Sequence, residues 1–321
     1  LSQQLAQLPL KKLILLDQAE TSLSDLQFAL NHSACHLRFV LGSVTDKLLL
    51  ESIFITEKID IIFHAAAYKH VPMMEQHPRA AALVNVGGTK LLADLAQYYE
   101  VNQFVFVSTD KAVSPVSVMG ASKKLAEHYL QQIQPKGRTI FSVVRFGNVI
   151  ATSGSVFLRF RQQILQRKPI TITHPEVTRY FMHIETACAL LLTVATLQKD
   201  GTYIFDMGKK YKILQLAEDL IKLHGLLPHF DIPITFTGLR QGDKLHETLW
   251  EKHEKVKPTL YRKILRADFE LRLDTNFTAH IDDLLQIAKD YSVSNEQLKS
   301  VILATLPRFE DIADETRTIT N

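Results

Sequence analysis

A chain of 321 residues, 46% apolar and 22% charged, has the composition of a globular enzyme with one large α/β unit, alone or with a smaller lobe. Its formal charge of +3 comes from dispersed lysines with no basic block, which excludes a surface that tracks a nucleic-acid backbone but suits a modest anionic ligand. Two cysteines without a CxxC pair exclude a disulfide framework, and thirteen histidines without HExxH give no motif for a metal.

No run reaches the ~18 consecutive apolar residues of a membrane span, and no signal-peptide pattern opens the chain. The sequence therefore reads as soluble and cytoplasmic. LSQQLAQL (1–8) looks like the end of a helix, followed by the short buried strands KLILLD (12–17) and HLRFVLG (36–42). IDIIFHAAA (59–67), QFVFVS (103–108) and IFSVVRF (140–146) are further buried strands. Segments near 46–57, 78–100 and 119–133 have helical spacing; in the second, an apolar stripe from Ala82 to Leu95 is broken by Gly87-Gly88. Continuous apolar strands alternating with helices predict a doubly wound α/β fold with a parallel sheet covered on both faces. Beyond about residue 165 the alternation is lost and turn signals thicken, so residues 1–165 read as a dinucleotide-binding core. Residues 166–321 read as a smaller C-terminal lobe, some of whose segments return to the core.

Asp17 closes the first apparent strand. In a dinucleotide fold, an acid ending the second strand binds the adenosine ribose, about 20 residues after the start of the glycine-rich phosphate turn. Counting back that far runs off the sequence. The expectation is that the first strand and its turn lie upstream, in a larger protein. The alternative is an Asp17 that only caps a strand–helix junction.

Thr109, Asp110 and Lys111 follow a buried strand, at the edge where open α/β sheets bind ligands. A hydroxyl, a carboxylate and an ammonium there can orient a sugar hydroxyl and move protons, or form a solvated turn. The small residues of HAAAYKHVP (64–72) allow close backbone approach to a flat ring, or tight helix–sheet packing. Asn148, Arg179, Arg240, Lys244 and Glu247 sit on separate later segments, where arginine forks suit a diphosphate or a surface ion pair.

Nine stretches carry a resemblance, in order from about residue 12 to 247: LILLDQAE, LGSVTD, FHAAAYKHVPMME, NVGGT, VSTDKAV, VMGASK, VVRFGNV, THPEVTRYFM and GLRQGDKLHE. Together they resemble the extended short-chain dehydrogenase/reductases. More closely, they resemble the CapD-type polysaccharide-biosynthesis branch, whose members include UDP-N-acetylglucosamine 4,6-dehydratases. Many short-chain enzymes place a tyrosine four residues before the lysine that stands here as Lys123. One dehydratase subgroup has methionine there, as Met119 does.

The resemblance implies bound NAD and an internal redox cycle that yields a 4-keto-6-deoxy sugar for a surface glycan. Thr109 would orient the C4 hydroxyl, Asp110 would protonate the departing C6 hydroxyl, and Lys111 would take the C5 proton. Lys123 or a water would replace the tyrosine at the C4 hydroxyl. Asp17, Ser43, Val44, Ala65, Ala66, Ala67 and Lys123 match the cofactor side; Lys69, Asn148, Arg179, Arg240 and Glu247 match the UDP-sugar side, with no metal. Gln241 and Asp243 depart from the branch's usual Arg-Pro-Gly-Glu-Lys, with modest effect expected. The further expectations are a homo-oligomer, no nucleic-acid partner, and membrane attachment only through an upstream region. The competing readings are a UDP-hexose 4-epimerase and a non-catalytic nucleotide-sugar-binding module.

Overall fold

The apolar runs form parallel strands β1 (Lys12–Asp17), β2 (His36–Leu41), β3 (Ile61–His64), β4 (Gln103–Val107) and β5 (Ile140–Arg145). The computed structural model describes residues 1–306 except 32, 135–136, 151, 153 and 269–275. β3, β4 and β5 pair in parallel, and β5 pairs in parallel with Gly201–Phe205. An antiparallel ribbon, Ile264–Asp268 then Lys255–Pro258, completes this six-stranded sheet. Segments from the second half of the chain thus join the sheet of the first half.

β1 and β2 form a separate parallel pair, in register from Lys12 with His36 to Asp17 with Leu41. Each of β1 and β3 keeps one edge that pairs with no strand among the described residues. A doubly wound sheet of order 3-2-1-4-5-6 has one strand between these two positions.

Helix Val118–Ile133 starts where the Ser117 hydroxyl accepts the Gly120 N–H, and it is buried almost throughout. It packs against β4 and β5 within a cluster that includes Phe104, Phe106, Leu125 and Leu130. Its outer side is covered by Phe277–Lys289 and Asn295–Ala304, through Phe277, Ile281, Leu284, Leu298 and Ile302. Arg79 holds this helical pair by donating to the carbonyls of Ala288, Asp290 and Val293.

The helical reading of 78–100 holds through Gly87-Gly88, where the apolar stripe is interrupted. Residues Ala81–Gly88 form a π-helical turn that runs directly into the helix Thr89–Tyr98. A Cβ on Gly88 would lie 2.7 Å from Val44 Cγ2, so close packing against the turn after β2, rather than chain termination, accounts for this glycine.

A second cluster forms the lobe: Phe160, Ile164, Ile170, Ile172, Val177, Ile213, Leu220 and Ile232. Helix Val156–Leu165, which the sequence reading placed with the core, supplies Phe160 and Ile164 to this lobe cluster. Among the described residues, no helix is long and apolar enough to cross a membrane.

Candidate active site

The backbone ladder between β4 and β5 continues past the strand ends. Ser108 N donates to Val144 O at 2.7 Å and Asp110 N to Phe146 O at 3.1 Å, which fixes a short 3₁₀ turn, Asp110–Ala112, against Phe146 and Gly147. Thr109 Oγ1 accepts from Lys111 N at 3.4 Å and donates to Asp110 Oδ1 at 2.9 Å. Lys111 Nζ donates to the same Oδ1 at 2.9 Å. Asp110 is fully buried, and its Oδ2 is without a hydrogen-bond partner. A buried carboxylate oxygen in that state costs stability unless a ligand or a proton meets it, so it is a chemically informative atom.

Gly147 makes the space beside it. A Cβ there would stand 3.0 Å from both Asp110 Oδ2 and Tyr180 Cβ. Asn148, the next residue, accepts from Lys111 Nζ at 3.4 Å and is held by its own N–H on Tyr180 O.

Glu247 reaches this cluster from far along the chain. It is 2% exposed, and its Oε1 stands 3.7 Å from Lys111 Nζ and 3.9 Å from Arg179 Nε. Its Oε2 lies 3.8 Å from Lys244 Nζ and accepts no hydrogen bond. Two carboxylates and three cations therefore form one cluster at the carboxyl ends of β4 and β5. Burial lowers the Lys244 pKa against the pull of Glu247 and Asp110, while burial and then the Asp110 charge raise that of Tyr180.

The remaining expected residues are placed less uniformly. Arg179 spends its guanidinium on the carbonyls of Thr178, Lys244 and Leu245, tying the loop before Glu247. Arg240 is exposed and paired with Asp243 at 2.9 Å. Lys69 lies at the surface with its ammonium partly desolvated, which lowers its pKa.

Lys123 is buried. Its Nζ donates to Val107 O at 2.6 Å and lies 3.9 Å from the centroid of the Phe106 ring. Burial brings its pKa down to about 7 against the opposing charge of Glu127. Met119, one turn earlier, is buried beside it.

On the β1–β3 side, Asp17 is exposed and accepts the Ala19 N–H, while Ser43 shares a hydrogen bond with Thr45. Val44 packs under Gly88; Ala65 and Ala66 are exposed and Ala67 half-buried at the end of β3. The sequence reading passed over Gly147, Tyr180 and Arg159. The first two lie inside the quoted stretches VVRFGNV and THPEVTRYFM. Burial, and next the charge of Arg240, lower the Arg159 pKa, but nothing local in the sequence distinguishes this arginine.

A doubly wound sheet carrying a Thr-Asp-Lys turn at its strand ends, beneath a smaller lobe, defines the extended short-chain dehydrogenase/reductase class. The comparison with known proteins is more specific: the chain belongs to the polysaccharide biosynthesis protein family, whose model matches residues 1–268. It is 40% identical over 280 residues to the capsular polysaccharide biosynthesis protein CapD of Staphylococcus aureus, covering 86% of this chain and 47% of CapD. It thus spans less than half the length of that relative. It is 31% identical over 292 residues to a UDP-glucose 4-epimerase of Rickettsia typhi, covering 89% of this chain and 83% of that protein. Among solved structures, a double mutant of DesIV, a dTDP-glucose 4,6-dehydratase of Streptomyces venezuelae with NAD and DAU bound, has the same fold. Its TM-score is 0.68 at 22% identity, over 77% of this chain and 83% of DesIV.

Proposed function

We propose that this chain is the catalytic domain of an NAD-dependent 4,6-dehydratase acting on a UDP-N-acetylhexosamine, most simply UDP-N-acetylglucosamine, in surface-polysaccharide synthesis. The observation that carries the reading is Asp110: a fully buried carboxyl with one oxygen held by Thr109 and Lys111 and the other free beside Gly147. Family membership supports the pathway class. The solved neighbour DesIV carries NAD, and the strand-end residues here fit such a cofactor. Exposed Ala65 and Ala66 leave backbone open to a flat ring, and Asp17 suits ribose hydroxyls while repelling a 2′-phosphate, which favours NAD over NADP. Ser43, Val44 and Ala67 would line the same edge.

When bound, NAD supplies the hydride acceptor for C4 and the hydride donor for C6. Thr109 orients the C4 hydroxyl. Once C4 is a ketone, the C5 proton is acidic. With the proton of the Asp110–Lys111 pair resting on Asp110, Lys111 takes the C5 proton as the free amine and returns a proton to C5 when hydride adds at C6. Asp110 delivers a proton from Oδ2 to the C6 hydroxyl as it leaves as water. Lys123, with its pKa near 7, accepts the C4 hydroxyl proton directly or through water. Asn148 and Glu247 hold Lys111, Arg179 holds the loop of Glu247, and Lys69 and Arg240 face the nucleotide.

A UDP-hexose 4-epimerase is the second reading, favoured by the Rickettsia relative. Buried Met119 opposes it, because a thioether cannot take the proton that a tyrosine would exchange at C4.

The deciding experiment is proton NMR of UDP-N-acetylglucosamine in D₂O, with NAD and protein from the complete coding sequence. A new C6 methyl signal with deuterium at C5 is expected. Conversion to the galacto epimer supports the second reading. An unchanged spectrum with NAD bound excludes turnover of this sugar and is the outcome of a binding module.

A further inference from the structure

Ser114 follows the Thr109–Lys111 turn by three residues and adopts φ of +41°, in the left-handed region. A side chain disfavours that conformation, and such strain persists only where neighbours impose it. Here the neighbour is Glu251. One of its oxygens accepts the Ser114 N–H at 2.7 Å, the other accepts the Ser114 hydroxyl, and Lys124 Nζ stands 3.3 Å away.

Glu251 belongs to a buried charged network. Its N–H donates to Glu254 Oε2 at 2.7 Å, and both oxygens of Glu254 accept from Arg145 at 2.8 Å. The other side of the Arg145 guanidinium pairs with both oxygens of Glu127 at 2.9 and 2.7 Å, and Glu127 accepts the Ser108 hydroxyl at 2.5 Å.

The network meets the site at four of the segments that build it. Ser108 and Ser114 bracket Thr109–Lys111. Lys124 and Glu127 follow Lys123 on its helix, Arg145 precedes Asn148, and Glu251 and Glu254 follow Glu247. The charged members are buried, with Arg145 and Glu127 at most 1% exposed and Glu251 8%, while Ser114 lies at the surface. A buried ionic network is a poor source of net stability, and its best-attested use is to select one geometry.

We propose that Glu251 is a positioning residue, which holds the strained Ser114 turn and thereby sets Asp110 and Lys111 against the loop that carries Glu247. The inference rests on the dehydratase reading for its kinetic arm only.

The test uses the full-length protein with bound NAD. Glu251→Ala is expected to lower kcat at least about tenfold with KM for UDP-N-acetylglucosamine within about twofold, because displacements near 1 Å cost on this scale. Adding Ser114→Gly, which takes a positive φ without strain and keeps the N–H, is expected to recover most of that loss. By hydrogen exchange, Glu251→Ala speeds the amides of Lys111–Ser114 at least about tenfold, the scale of a locally opened segment, and leaves β4 and β5 unchanged.

Unchanged kcat, or an equal speeding of exchange across β4 and β5, overturns the proposal. Should Glu251→Ala not give folded protein, Glu251→Gln keeps the side-chain volume and carries the same comparison. A parent enzyme that forms no methyl product sinks the dehydratase reading instead, and exchange at Ser114 then decides the role of Glu251 alone.

Discussion

The two parts of the parallel sheet are written in the same kind of sequence and end up in different environments. β4 is buried along QFVFV, with Phe104, Val105 and Phe106 at 0% exposure, whereas KLILLD in β1 is only partly buried and pairs along one edge among the described residues. The strand ends differ in the same way. Beyond β4 stand a buried acid and its ion pairs; beyond β1 and β3 stand an exposed Asp17 and exposed alanines. Apolar composition makes a strand, but the number of neighbours determines what its carboxyl end can do. On the closed, buried side low dielectric strengthens each polar contact, and on the open, exposed side water weakens it.

The sharpest way to break this contrast is at the closed side. Asp110→Asn keeps the shape but cannot ionise, and is expected to lower turnover by about 10²–10⁴-fold, the usual range for a general acid. The enzyme should stall after C4 oxidation, with nicotinamide absorbance of the reduced form accumulating in rapid-mixing records. Normal turnover by this mutant would remove Asp110 from the acid role. Gly147→Ala comes next. The added methyl meets Asp110 Oδ2 and Tyr180 Cβ at 3.0 Å, so overpacking of about 1–3 kcal/mol is expected in chemical denaturation, together with a fall in kcat. A variant with full activity and unchanged stability would show that the space beside Oδ2 is not needed.

On the open side, Asp17→Ala should narrow the preference for NAD over NADP by about tenfold, the equivalent of ~1.4 kcal/mol, with little effect on stability. Steady-state titration of both cofactors measures it. An unaltered ratio would leave Asp17 as a strand–helix cap, which its hydrogen bond to Ala19 N already provides.

The same contrast governs what could be read in advance. β3, β4 and β5 and the Thr109–Lys111 turn were legible because a run of apolar residues ending in polar ones admits few placements in a doubly wound sheet. The contact of Glu247 with Lys111 was not, since it depends on a loop folding back across the lobe. Arg179 shows the limit of residue-type reasoning. Its fork suits a diphosphate in isolation, yet three backbone carbonyls occupy it, and those partners lie partly in a distant loop. Gly87-Gly88 interrupts the apolar stripe but not the helix, and the close approach of Val44 to Gly88 that accompanies this could not be read from spacing. The helix Val156–Leu165 likewise followed its apolar partners into the lobe, which periodicity alone cannot assign.

The last contrast concerns Lys123, which sits on the closed side and is proposed to serve the cofactor edge. Its folded pKa of about 7 lies below the ordinary lysine value, so the unfolded chain binds the extra proton between about 7 and 10. Stability should therefore rise with pH through that window on account of this group, and be penalised uniformly below it. Glu127 and Arg145 stay paired and charged across the range, and His64, which burial holds neutral with a pKa of about 3, adds no slope there. Lys123→Met removes the penalty while keeping an unbranched side chain against Phe106. Denaturation midpoints should then favour the variant at pH 6 and converge with the parent near pH 10. A constant difference at both pH values would mean that Lys123 is charged throughout, held by Val107 O and the Phe106 ring, and would leave the C4 hydroxyl proton to a water.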